Sequence, residues 1–168
     1  MIVMMAGLPG TGKSTLARAL AERLDGMVLD KDAVRAALFE PRFVEYSVEQ
    51  DDFCMEILLE TAAYLLKKHS GLHLLLDGRT FSKRYQRARV IEFCAQAGTT
   101  WAIVECVCSE ETALSRLSEG RESHIAKNRT AELYREIREG WDPIAEPSLV
   151  VNTDQDLGVD RVLQYLRA

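Results

Sequence analysis

The chain has 168 residues, 47% of them hydrophobic, and a formal net charge of −5. That length supports one well-packed core and is short for two, so a single domain over residues 1–168 is expected. The acidic balance gives no general field for polyanions, which disfavours nucleic acid without excluding it; no apolar run reaches the roughly 18 residues of a membrane span and no signal-peptide pattern opens the chain, so a cytoplasmic protein without membrane attachment is expected.

Ile2-Val3-Met4-Met5, within the apolar run Met1 to Ala6, reads as a buried parallel strand. Gly7 to Thr15, GLPGTGKST, follows at once and leads into a helix over Thr15 to Leu24. The G-x-x-x-x-G-K-[ST] spacing is complete, and its flanks are a strand and a helix, as a phosphate-binding loop requires. Glycines allow the tight turn, and amide N–H groups with the helix N-terminus point at the phosphates. Gly7, Pro9, Gly10, Thr11, Gly12, Lys13, Ser14 and Thr15 are therefore the expected nucleotide-binding residues. Lys13 reaches the β and γ oxygens as a catalytic cation, and the Ser14 hydroxyl is placed to ligate Mg²⁺.

Met27-Val28-Leu29 forms a second strand ending at Asp30, and a short helix from Asp32 to Phe39 stops before Pro41. Asp30, Asp32 and Arg35 thus lie beside the phosphate site. A carboxylate there can orient an acceptor hydroxyl and take its proton, a role assigned to Asp32, although an Asp at that position can also cap the helix. Arg35, one turn on, can hold an anionic group of the acceptor. Pro41 to Ser47 reads as a surface connection, and residues 31–52 together as the acceptor side.

Val48 to Lys68 is an amphipathic helix closed by Ser70-Gly71, followed by a strand over Leu72 to Leu76. Asp77 ends that strand in the Walker B manner, where it can hold Mg²⁺ or hydrogen-bond Ser14; it can also simply start a turn with Gly78. Among the arginines beyond it, Arg79 and Arg84 are expected to face the acceptor pocket, and Arg87 and Arg89 the solvated side of the helix Ser82 to Ala97. His69 and His73 bracket a turn and earn no role.

Trp101 to Val107 is a strand, Ser109-Glu110-Glu111 caps a helix to Leu117, and Thr130 to Gly140 is helical. Ser148 to Asn152 and Gly158 to Leu166 are a last strand and helix. Arg116 to Arg129 is a polar stretch containing Arg116, Arg121, Lys127 and Arg129, read as a lid that supplies charge and excludes water. Arg121 is its first candidate and Arg116 its second, the bland reading being a solvated charged hairpin. Cys54, Cys94, Cys106 and Cys108 lack metal or redox spacing and read as core thiols. Strands and helices alternate throughout, which predicts an α/β fold: a five-stranded parallel sheet with helices on both faces, the P-loop NTPase arrangement, plus a helical lid.

With these residues assembled, the chain resembles the small P-loop kinases over nearly its whole length. LDKDAVRAAL, Leu29 to Leu38, is similar to the acceptor-side motif of adenylylsulfate kinases and of the kinase domain of phage polynucleotide kinase. That resemblance implies a base at Asp32 and an acceptor contact at Arg35. RLSEGRESH, Arg116 to His124, is similar to the lid of gluconate kinases, which implies phosphate contacts for Arg116 and Arg121. DGRTFSKR and TAELYREIREGWDPI look more like the polynucleotide-kinase-like and zeta-toxin-like families, which implies that Asn152 and Thr153 border the adenine. The specific motifs of the adenylylsulfate and gluconate kinases are absent, so neither substrate is carried over.

The expectation is an ATP- and Mg²⁺-dependent phosphotransferase acting on a small-molecule hydroxyl or, less favoured, a nucleic-acid 5′ end. The rival is a nucleotide-hydrolysing regulatory module acting through a protein partner. A GTPase switch would need Asn-Lys-x-Asp, which does not occur, and an AAA-type machine a larger chain.

Overall fold

A computed structural model describes residues 1–119, 126, 128 and 130–167. In chain order the elements are β1 (Ile2–Ala6), α1 (Lys13–Leu24), β2 (Met27–Asp30), α2 (Lys31–Leu38), a 3₁₀ turn (Pro41–Phe43) and α3 (Val48–Lys68). They continue with β3 (Leu74–Asp77), α4 (Arg84–Ala97), β4 (Trp101–Val107), α5 (Glu110–Glu119), α6 (Ala131–Glu139), β5 (Leu149–Asn152) and α7 (Val159–Arg167). The strands form one parallel sheet in the order β2-β3-β1-β4-β5. No helix among the described residues is long and apolar enough to cross a membrane.

β1 is central and wholly buried, and its alternation feeds two cores. Ile2, Met4 and Ala6 pack with Met55, Leu58 and Leu59 of α3 and Val90 and Phe93 of α4. Val3 and Met5 pack on the other face with Leu16 and Leu20 of α1 and Val162, Leu163 and Leu166 of α7. Helices therefore cover both faces, and the carboxyl ends of β1, β2 and β3 converge on one edge, where ligands bind in open α/β sheets.

The elements differ from expectation mainly at their ends. β3 begins at Leu74, because Leu72 N is used in a turn to His69 O and pairing with β1 and β2 starts at Leu74. It runs on to Asp77, which lies opposite Asp30 in register. α5 extends to Glu119, two residues past its expected end, so Arg116, expected at the overlap of helix and lid, lies within the helix. The connection 41–47 contains a 3₁₀ turn, anchored where Gln50 Nε2 donates to Phe43 O at 2.8 Å.

Gly78 shapes the turn after β3. Its φ is +79°, and an added Cβ would lie 2.6 Å from Asp30 Oδ1 and 3.0 Å from the N of Lys31 and of Asp32. Gly78→Ala should combine left-handed strain with a push on the start of α2, costing about 2 kcal/mol. Thermal unfolding should then show Tm lower by roughly 4–8 °C; an unchanged Tm would contradict this reading of the turn.

Candidate active site

The loop between β1 and α1 is held from beneath and from both sides. Gly7 has φ +138°, Gly10 +81° and Gly12 +83°. A Cβ on Gly7 would meet Cys106 O at 2.3 Å, and one on Gly10 would meet Ala113 O at 2.5 Å, so both positions need glycine for space as well as for torsion. Thr153 Oγ1 donates to Thr11 O at 3.1 Å, and Lys13 Nζ donates to Gly7 O at 2.9 Å and Leu8 O at 2.8 Å. The result is a concave backbone ring at a helix N-terminus, the geometry that cradles a phosphate.

Two cavities meet at this ring. A hollow of about 370 Å³ is lined by Gly10, Gly12, Thr15 and Arg116, and a cleft of about 620 Å³ by Pro9, Asp32, Arg35, Asp77 and Arg79; Lys13 and Ser14 line both. Sites expected from separate parts of the sequence thus share one edge of the sheet.

Asp77 is buried, and its Oδ1 has no hydrogen-bond partner. Across the register lies Asp30, whose carboxyl is pushed above the usual carboxylate range, first by burial and then by the charge of Asp77. An orphaned buried oxygen beside a second carboxylate, with the Ser14 hydroxyl on the same cleft, fits a hard divalent cation. Among the described residues there is no cluster of three or more His, Cys, Asp or Glu that could hold a metal ion.

Asp30, not Asp32, caps α2: its side chain accepts from Asp32 N at 2.8 Å and from Ala33 N. Asp32 is thereby released from the capping role that the sequence left open. Its Oδ1 receives Arg35 Nη1 at 3.0 Å and Lys31 Nζ at 3.2 Å. Lys31 Nζ also reaches Asp51 Oδ1 at 2.7 Å, and Arg35 Nη2 pairs with the same Asp51 oxygen. Two carboxylates and two cations form a closed ring in which both Oδ1 atoms are used, while neither Oδ2 has a partner among the described residues. Burial lowers the Lys31 pKa, opposed by Asp32.

Asp30→Asn should keep the cap, since Asn serves there as well as Asp, and remove a charge from beside Asp77. The raised Asp30 pKa makes the wild-type cost appear as pH rises from the unfolded carboxylate value through the folded one. The stability of the variant relative to wild type should therefore grow across that window, read as the Tm difference between pH 4 and pH 7. A difference that shrinks with pH would contradict the shift.

The arginines separate. Arg79 is buried, with Nη2 2.6 Å from Asp52 Oδ1 and 3.1 Å from the Tyr85 hydroxyl. Arg84 is exposed and lines neither cavity, contrary to expectation. Arg87, expected on the solvated side, is buried: it donates to the carbonyls of Phe81, Asp142 and Pro143 and pairs with Glu146, tying the chain after α6 to α4. Arg89 pairs with Glu56 at the surface, as expected. Arg116 donates to Thr153 Oγ1 and Thr153 O, each at 3.0 Å, beside the phosphate loop. Arg121, Lys127 and Arg129 lie outside the described residues. Thr153, tied to the loop and to Arg116, is buried beneath them. Lys31, Asp51, Asp52, Tyr46 and Tyr85 were not singled out by the sequence; the acidic pair at the start of α3 was its only visible signal. The cysteines are free, and burial raises Cys94 and Cys106 to about 11, in keeping with core thiols.

Residues 2–142 match the family model described as an AAA domain. The fold is that of APS kinase CysC of Mycobacterium tuberculosis, solved with AMPPNP and APS: TM-score 0.76, 23% identity, covering 99% of this chain and 97% of that one. A gluconokinase of Sinorhizobium meliloti 1021 is similar at TM-score 0.67 and 21% identity, covering 99% and 94%. Kti12 of Chaetomium thermophilum, solved with ADP-AlF3, is similar at TM-score 0.70 and 13% identity, covering 99% and 97%.

Proposed function

The chain belongs to the AAA domain family and has the P-loop NTPase fold shared with small kinases; from that premise we propose an ATP-dependent phosphotransferase that moves the γ-phosphoryl group to a hydroxyl of a small molecule. The observation that carries this reading is the meeting of two cavities at Lys13 and Ser14, with the open Asp32 carboxylate on the acceptor side.

Gly7 to Thr15 hold the phosphates through backbone N–H groups, and Lys13 neutralises the β and γ oxygens. Ser14 and Asp77 would hold Mg²⁺, which when bound offsets phosphate charge. The acceptor oxygen attacks the γ-phosphorus in line, the bond to the β–γ bridging oxygen breaks, the hydroxyl proton passes to Asp32, and ADP leaves. Arg35 and Lys31 hold Asp32 in place. Arg116, and Arg121 from the proposed lid, supply positive charge to the transferring group. Support for a nucleotide and a small acceptor comes from APS kinase, solved with AMPPNP and APS.

Hydrolysis by a regulatory module is the second reading, favoured by the shared fold with Kti12 in complex with ADP-AlF3. Incubation with Mg²⁺-ATP and a metabolite extract, followed by mass analysis, separates the two. The proposal expects one compound to gain a phosphoryl group as ADP forms. Free phosphate alone, under every acceptor tried, would favour hydrolysis.

A further inference from the structure

Lys31 and Arg35 lie together on α2, their side chains 7% and 3% exposed. Two enclosed charges of one sign need two counter-ions, and α2 itself carries only Asp32. The second counter-ion comes from α3: Asp51 Oδ1 receives Lys31 Nζ at 2.7 Å and also Arg35 Nη2. Asp32 Oδ1 receives the same ammonium at 3.2 Å and Arg35 Nη1 at 3.0 Å. Among the described residues neither cation pairs with a further carboxylate, and Asp52, next to Asp51, serves Arg79. The cleft that this ring faces is lined by cations and carboxylates alike, so what matters is which oxygen each cation takes.

The guanidinium fork of Arg35 is split between the two carboxylates. A fork whose terminal nitrogens are both free takes the two oxygens of one carboxylate in parallel hydrogen bonds. With Asp51 on Nη2, Asp32 meets Nη1 through Oδ1 alone, and its Oδ2 stays open on the acceptor side. The helix start that presents Asp51 is anchored without it. Ser47 caps α3 by accepting from Gln50 N at 3.1 Å, and the Gln50 side chain donates to Phe43 O at 2.8 Å and accepts from Glu45 N at 3.1 Å. Tyr46 covers a face of the guanidinium, with Arg35 Cζ 5.1 Å from its ring centroid. Resting on the phosphotransferase reading, we propose that Asp51 is a positioning residue: by holding Arg35 Nη2 and Lys31 Nζ it keeps the second oxygen of Asp32 free for the acceptor hydroxyl. Without it, Arg35 closes on both Asp32 oxygens, and the group that takes the proton is lost from the cleft.

The test is a double-mutant cycle in the full chain, with the compound that gains a phosphoryl group from Mg²⁺-ATP in a metabolite extract as acceptor. Asp51→Ala should lower kcat by roughly ten- to hundred-fold, with acceptor KM and AMPPNP affinity each within about three-fold of wild type. In the Asp32→Asn background the same change should lower the residual kcat by no more than about two-fold, because no carboxylate remains there to be held open. Asp51→Asn keeps an acceptor oxygen for both cations and should lose less; it carries the cycle if the alanine variant does not fold. Equal losses in both backgrounds, or a raised acceptor KM with kcat kept, would overturn the proposal. A crystal structure of Asp51→Ala reads the same point without turnover: Arg35 should engage both Asp32 oxygens, and an Oδ2 still open would overturn the proposal as well. Absence of any phosphorylated compound with wild type would count against the phosphotransferase reading instead.

Discussion

Asp32→Asn should leave nucleotide affinity within about three-fold of wild type while lowering phosphoryl transfer by roughly 10²–10⁴-fold, the range for loss of a positioned general base. Two features motivate the separation. Asp32 lines the acceptor cleft and is absent from the hollow on the other side of Lys13. The cap of α2 is made by Asp30, so the substitution does not remove a helix start. The amide oxygen can still accept from Lys31 and Arg35, and Asp51 still pairs with each of them. Steady-state turnover with an identified acceptor, beside equilibrium binding of AMPPNP, checks both halves. Near-normal turnover would remove Asp32 from the mechanism.

Lys13→Ala should instead act on the nucleotide itself, weakening ATP binding by roughly thirty-fold or more, about 2 kcal/mol, and abolishing measurable transfer. Lys13 is buried at the junction of the two cavities, and its ammonium bridges the Gly7 and Leu8 carbonyls, so it sits within reach of any phosphate seated on the loop. Its removal takes away both the charge on the transferring group and a tie across the loop. Binding of AMPPNP by calorimetry reads the first effect directly. Unchanged affinity would mean that the phosphates lie elsewhere.

Together the two variants divide the site. One should change turnover with binding preserved, and the other should change both. A hydrolysing module with no acceptor would respond to Lys13→Ala in the same way but would have no reason to depend on Asp32 beyond the orientation of water.

The sequence exposed the fold because each strand is a short apolar run and each helix has a start and a stop that local chemistry dictates. The phosphate loop was legible down to single residues, since its spacing is contiguous and its glycines answer to φ values and close carbonyls that no other residue tolerates. Asp77 was legible as a strand end, and Asp32 and Arg35 as residues of the short helix that follows one. Their partners were not. Asp51 and Asp52 lie in the first turn of α3, where acidic residues are ordinary companions of a helix N-terminus, and only the packing of α3 against α2 brings them onto Lys31, Arg35 and Arg79. The same limit explains Arg87, which reads as one more charge on a surface helix until the segment from Asp142 to Glu146 folds over it and supplies carbonyl acceptors. Arg84, two residues from the buried Ser82, points away because α4 begins there. The family match also widens the sequence reading, which had set AAA-type proteins aside on size.

A crystal structure with Mg²⁺, AMPPNP and a phosphorylatable acceptor tests the central claim most directly. It should place the γ-phosphate against Lys13 and the acceptor hydroxyl between that phosphorus and the open oxygen of Asp32, within hydrogen-bond distance of the carboxylate. A γ-phosphate turned away from the acceptor cleft, with Asp32 touching neither the nucleotide nor the acceptor, would contradict it.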